Sequence, residues 1–151
     1  VMNTSNTTAG GYVGSQMYTT NLAQAKTTIK AAFSGHVVNH RIYLTNAVTN
    51  GYASAGAWVN SEVDIMNEQM VYGSGIFSPV STGSAVPANY RVEKKQLPLF
   101  AMNPAMLNTR ENYWLRDVIT ASHFALVSYA GYAVYGGASA PCGVRPAFCI
   151  S

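Results

Sequence analysis

The sequence predicts an α+β domain, and three observations carry that expectation. A stretch near the N-terminus repeats apolar residues at helical spacing, and a shorter one does so in the middle of the chain. The C-terminal third instead alternates short apolar runs with turn residues and shows no helical period. At 151 residues the chain suits one domain spanning 1–151, with no repeat or linker dividing it. It opens Val-Met-Asn-Thr, which reads as the C-terminal part of a longer protein.

Residues 1–18 are rich in Gly, Ser, Thr and Asn, and read as an extended opening segment with turns at Gly10–Gly11. In "TTNLAQAKTTIKAAFSG", Leu22, Ala25, Ile29, Ala32 and Phe33 recur at steps of three and four, which predicts a helix over 21–34. Thr20 or Asn21 can cap its start, and Gly35 stands where it stops. "HVVNHRIYLTNAV" turns to β-branched and aromatic residues and reads as one strand or two short ones. Residues 49–60 read as a loop. "SEVDIMNEQMVYG" begins with Ser61 three residues before Asp64, close to a capping box, and predicts a second helix ending at Gly73. Residues 73–92, with Pro79 and Pro87, form a long connection. From "QLPLFAMNP" onward the chain reads as antiparallel strands.

Charged residues make up 10% of the chain, well under the roughly 25% of an average domain. Asn, Thr, Ser and Tyr must supply solubility, a balance that fits an extracellular or virion surface. The net charge of +3 is spread out, with Lys94–Lys95 the one basic doublet, so no basic stripe points to nucleic acid. No apolar run approaches the ~18–20 residues of a membrane span. Cys142 and Cys149 can form one bond or stand as free thiols. Asn3-Thr4-Ser5 and Asn6-Thr7-Thr8 match the glycosylation sequon, as expected by chance in such a terminus.

Residues 113–148, "YWLRDVITASHFALVSYAGYAVYGGASAPCGVRPAF", have two specified ends and a middle of small residues and tyrosines. "WLRD", then "FALV" with a Gly-centred turn, then "GVRPAF" resemble phage tail and bacterial surface proteins of C-type-lectin-like fold. That fold is shared with formylglycine-generating-enzyme-type domains. The family includes the variable proteins of diversity-generating retroelements. "GGYVGSQM", "LTNAV", "EQMVYG" and "LPLFAMNP" are similar to its phage branch. The resemblance implies two helices, a small antiparallel sheet and long irregular loops. It also implies a C-terminal segment open to adenine-directed variation, which cannot produce Lys, Glu, Gln, Met or Trp. None of those five occurs from Asp117 onward, although a charge-poor strand region excludes most of them too.

The residues themselves point to binding. Ser122, His123, Ser128, Tyr129, Tyr132, Tyr135 and Ser139, interleaved with Gly and Ala, have the composition of a paratope. The spacing of three between the tyrosines would alternate their faces in a regular strand. At least one would then be buried, unless Gly131 and Gly136–Gly137 turn the chain. Trp114 and Phe148 read as bulky groups pinning two strands to the core. Arg116 and Arg145 suit the edges of the segment, bonding backbone carbonyls or Asp117 and Glu111, with a binding Arg as the alternative. Pro146 in a strand needs an edge position or an unpaired amide.

Motifs for catalysis are lacking. His36 and His40 could share a strand face, but no further ligand completes a zinc site. The calcium-binding Glu-Pro-Asn and Gln-Pro-Asp tripeptides of sugar-binding lectins do not occur, nor does a Gly-x-Ser-x-Gly elbow or a phosphate loop. Cys142 and Cys149 do not match the formylglycine enzymes' cysteine pair. Glu62, Asp64 and Glu68 read as the solvated face of the second helix. No cofactor or metal is expected. The leading expectation is a receptor-binding adhesin domain of a phage tail fibre or related surface protein. Its contact surface would be residues 119–142, its partner a bacterial surface protein or glycan, and its expected display a homotrimer. The runner-up is a structural tail or assembly module, and an enzyme of the formylglycine-generating type is a distant third.

Overall fold

In a computed structural model, the described residues are 1–44, 48–49, 52–53, 57–77 and 95–151. The helical period of residues 21–34 appears as helix α1 (Leu22–Phe33). Its N-cap position is Asn21, one of the two expected, but the side chain makes no capping bond, because a π-helical turn, Met17–Asn21, runs straight into the helix. Ser15 serves that turn, its Oγ accepting from the Tyr18 N–H at 3.3 Å. The chain leaves α1 through Ser34 (φ 42°) and Gly35 (φ 87°), as the glycine predicted. Leu22 is buried and Ala25 and Ile29 half-buried, while Ala32 and Phe33 are exposed, so α1 diverges from the core along its length.

Short strands follow: β1 (Val37–Val38), β2 (His40–Leu44), β3 (Val48–Thr49), β4 (Tyr52–Ala53), β5 (Ala57–Ser61) and β6 (Val63–Ile65). The expected loop over 49–60 is corrected here, since β5 pairs with the whole of β2, from His40↔Ser61 to Leu44↔Ala57. Residues 45–47 and 78–94, which hold part of the predicted strand and most of the predicted connection with Pro79 and Pro87, lie outside the described residues.

The second predicted helix is also corrected. Residues 63–65 form strand, and helix α2 spans only Glu68–Tyr72. The Ser61–Asp64 pair does bond, Oγ to Oδ1 at 3.0 Å, but within extended chain. The actual cap is Asn67, whose Oδ1 accepts from Met70 N–H at 2.8 Å. The cause is non-local: strand β10 (Pro146–Ile150) offers an edge that recruits Val63–Ile65, and pairing overrides a weak local period. Two further short helices interrupt the stretch expected to be all strand, α3 (Pro98–Met102) and a 3₁₀ turn (Pro104–Leu107), each opening on a proline.

The described strands make small antiparallel sheets: β1-β10-β6, β2-β5, β3-β4, and a second three-stranded sheet. That last sheet contains β7 (Tyr113–Val118), β8 (His123–Val127) and β9 (Ala133–Gly137), in the order β7-β8-β9. It is the middle layer. Trp114, Val118, Phe124 and Leu126 face one core with Met2, Tyr12, Met17, Leu22 and Ile65. Tyr113, Leu115, Ala125 and Val127 face a second core with Met66, Val71 and Phe100. Period-two alternation thus feeds two apolar layers, which is why β7 and β8 read as almost unbroken apolar runs.

The opening segment contributes more than an extended lead. Gly10 and Gly11 turn it at φ 80° and 63°, while Met2 and Tyr12 are buried outright. The Met2 and Asn3 N–H groups both donate to Ala138 O at 2.9 Å, and Thr8 Oγ1 donates to Thr120 O. The N-terminus therefore straps the far end of the β7-β8-β9 sheet.

Candidate functional site

Strand β9 ends the β7-β8-β9 order, and the tyrosines distribute along it. Tyr129 and Tyr132 occupy the β8–β9 turn, whereas Tyr135 lies mid-strand opposite Ala125. All three stand in solvent, 60%, 58% and 51% exposed. Gly131, at φ 87°, turns the chain between the first two, so the alternation of a regular strand never applies to them. Tyr135 shares its face with Ala125 and the second core, but sits on the edge strand beyond that core's cover.

The turn carrying Tyr129 and Tyr132 is held from outside. Tyr129 N–H donates to Asn112 Oδ1 at 2.9 Å, Thr109 N–H donates to Tyr129 O, and Tyr72 OH donates to Gly131 O at 3.2 Å. Ser128 departs from the expectation of a contact residue. At 2% exposure it lies inside the turn, where its Oγ accepts from the Ala130 N–H and its own N–H donates to Tyr132 O. A Cβ on Gly131 would collide with Asn108 Oδ1 and crowd Leu107 Cβ at 3.2 Å. Gly131→Ala is therefore expected to cost about 1–3 kcal/mol, seen as a lower urea midpoint at unchanged slope.

Tyr135 is oriented by two rings, Phe77 at 5.2 Å and His123 at 5.4 Å, both edge to face. His123 Nδ1 is itself shared between Thr120 Oγ1 (2.8 Å) and Ser122 Oγ (2.9 Å). Phe77 is placed by Glu68, a fully buried carboxylate that accepts from the Ile76 and Phe77 N–H groups at 2.8–3.1 Å. The Glu68 N–H in turn donates to Asp117 Oδ2 at 2.7 Å, tying α2 to β7. The expectation that Glu62, Asp64 and Glu68 form one solvated helix face is thus overturned. Glu62 alone faces solvent, paired with Lys26 and Lys30, which hold its carboxyl down to about 2. Asp64 and Glu68 are buried.

Ser122, His123 and Ser139 gather at the opposite end of β8 and β9 from Tyr129 and Tyr132, with His123 opposite Gly137. The candidate residues therefore form a strip rather than a single patch, roughly 20 Å from Tyr132 to Ser139 at strand rise. From Val118 to Val144 the sequence contains no Asp, Glu, Lys or Arg, so this strip is aromatic, hydroxylic and uncharged apart from His123.

The scaffold residues behave in different ways. Trp114 is buried in the first core. Phe148 is half-buried and packs on Phe33 at 5.0 Å, which fastens β10 to α1 and not to the central core as expected. Both arginines reach backbone carbonyls: Arg116 Nη1 to Ile65 O at 2.8 Å, and Arg145 Nη1 to Met106 O at 2.7 Å. The Arg145 guanidinium also lies over the Phe100 and Tyr113 rings. Pro146 is the first residue of β10, where a missing N–H is tolerated.

The two histidines part company. Exposed His36 contacts Ser151 O through Nδ1 at 2.8 Å, while His40 Nε2 approaches Asp64 Oδ2 at 3.5 Å. No cluster of three or more metal-ligating side chains occurs among the described residues. Cys142 and Cys149 are both free thiols, and burial pushes the Cys142 thiol up. No helix among the described residues is long and apolar enough to cross a membrane.

What these elements define is a mixed α/β domain whose uncharged edge strip rests on a doubly covered sheet. The chain belongs to the DUF6273 family, described as a domain of unknown function, whose model matches residues 62–151. That span runs from β6 to the C-terminus and includes the whole strip. Comparisons with curated proteins and with solved structures find no match.

Proposed function

We propose that this domain is a receptor-binding adhesin of a phage tail fibre or related surface protein, built on a C-type-lectin-like fold. The observation that carries the reading is the exposure of Tyr129, Tyr132 and Tyr135 on backbone held by hydrogen bonds to neighbouring elements. Tyrosine offers a large amphipathic contact area at low entropic cost, and a pre-ordered turn removes part of the cost of binding. The absence of charge between Val118 and Val144 makes the contact one of ring stacking and hydroxyl hydrogen bonds. The partner is a bacterial surface protein or glycan. Such a surface suits multivalent display, for instance as a trimer on a virion or cell exterior.

The test is retention of the labelled domain on a panel of intact bacterial strains. Combined Tyr129→Ala, Tyr132→Ala and Tyr135→Ala should lower the apparent affinity at least about 100-fold. Unfolding stability should move by less than about 1 kcal/mol, because the three rings are exposed. Raising salt should leave retention nearly unchanged. Equal retention of wild type and triple variant would overturn the reading. So would finding Tyr132 and Tyr135 covered by another virion protein, which makes the domain an assembly module.

A further inference from the structure

A cleft of about 340 Å³ opens between the β1-β10-β6 sheet and α3. None of the strip tyrosines lines it, so it stands apart from the adhesive surface proposed above. Its walls are apolar, with Met66, Met70, Leu97 and Phe100 among them, and its size lies at the low end of small-molecule sites. Strand register sets one wall: Asp64 of β6 pairs with Ala147 of β10, and Cys149 follows two residues on along the same face.

The cleft contains a polar group that its own surroundings leave incomplete. Asp64 is 1% exposed. Its Oδ1 accepts from Ser61 Oγ at 3.0 Å and Tyr12 OH at 3.4 Å. Its Oδ2 has no hydrogen-bond donor among the described residues, with His40 Nε2 3.5 Å away. His40 Nδ1 is likewise buried without a partner. Buried carboxylate oxygens are normally bonded, so a donor is called for here. Burial pushes the Asp64 carboxyl up, against the opposing pull of Arg116, Ser61, His40 and Tyr12.

The same cleft is lined by Arg116 and Arg145. Arg145 is half-buried, and its planar fork matches a carboxylate. With two guanidiniums against one carboxylate, a simple amine is repelled, whereas a simple fatty acid leaves Asp64 Oδ2 unsatisfied. A ligand carrying both charges on an apolar body answers both requirements.

We propose that the cleft binds a free α-amino acid with a large apolar side chain, its ammonium meeting Asp64 Oδ2 and its carboxylate meeting Arg145. The side chain lies among the methionines, leucines and Phe100.

Cys149 lines the cleft and reports its occupancy, while Cys142, beside Glu111, Asn112 and Pro141, serves as control. The experiment follows iodoacetamide alkylation of both thiols in the wild-type chain by peptide mapping, with L-leucine, L-methionine or L-phenylalanine at millimolar concentration. Protection of Cys149 with Cys142 unchanged is expected. N-acetyl-L-phenylalanine, lacking the ammonium, and L-phenylalanine amide, lacking the carboxylate, should each protect at least about tenfold more weakly. Asp64→Asn should abolish protection, and the ligand series on the wild type decides the matter if that variant does not fold. The strip variant lacking all three tyrosines should protect like wild type, which separates this site from the adhesive one. No protection by any amino acid, or equal protection of both thiols, overturns the proposal. Equal protection by the amide and the acid overturns the role of Arg145 and of the zwitterion.

Discussion

Trp114→Ala is expected to destabilise the domain by about 3–5 kcal/mol, read as a large fall in the urea midpoint. Trp114 is fully buried in the first core, on the strand that joins both cores. Its ring lies against Gly136 of β9, where an added Cβ would sit 3.2 Å from the indole and 2.8 Å from Leu126 Cδ2. Glycine at 136 and tryptophan at 114 are thus one packing unit, and truncating the ring leaves a cavity that β9 has no side chain to fill. The indole Nε1 is buried without a hydrogen-bond partner among the described residues. Trp114→Phe, which removes that donor and keeps most of the ring, should therefore lose much less, about 1–2 kcal/mol. Equal losses for alanine and phenylalanine would show that the site repacks and that the Gly136 contact is unimportant. Because β9 carries Tyr135, the alanine variant should also loosen the strip, with faster amide exchange in residues 133–137.

Arg116→Met should cost about 3 kcal/mol at neutral pH, and this loss should shrink in acid. Arg116 is buried, donates to the Ile65 carbonyl at 2.8 Å, and attracts the Asp64 carboxylate. Burial raises the Asp64 carboxyl above its unfolded value, while Arg116 and the Ser61 bond pull it back. With a raised folded value, the native state holds the extra proton. Stability from this group is therefore greatest below the unfolded carboxylate range and falls as pH rises through the folded value. Removing Arg116 raises that folded value further, so the variant falls further behind wild type across this window. As pH falls through the folded value the carboxyl becomes protonated in both proteins, and the difference shrinks toward the lost bond to Ile65. Urea unfolding of both proteins at pH 4 and pH 7 checks this; an equal gap at both would remove Asp64 from the account.

Much of the outline was legible in the linear chain because it rests on short-range chemistry. The three- and four-residue steps from Leu22 to Phe33 and the glycine after them are local signals, and α1 follows them. The exposure of Tyr129 and Tyr132 follows from Gly131, whose positive φ a side chain resists. The bonding of Arg116 and Arg145 to carbonyls follows from guanidinium chemistry, though not which carbonyls they reach.

What failed did so where a distant strand made the decision. Val63, Met66 and Met70 fit a helix as well as they fit the chain they form, and only pairing with β10 makes 63–65 extended. That pairing carries Asp64 inward, and the short α2 turns Glu68 toward the Ile76 and Phe77 amides. Two residues that look like solvated carboxylates thereby become a cleft floor and the support for Phe77 behind Tyr135. Ser128 looks like its exposed neighbours, yet the turn closes over it. Composition alone determined an uncharged tyrosine-bearing segment ending in strands, since residue types carry that directly. Which carboxylates, serines and rings face water was decided by contacts over tens of residues, because burial belongs to the assembled layers and no single stretch encodes it.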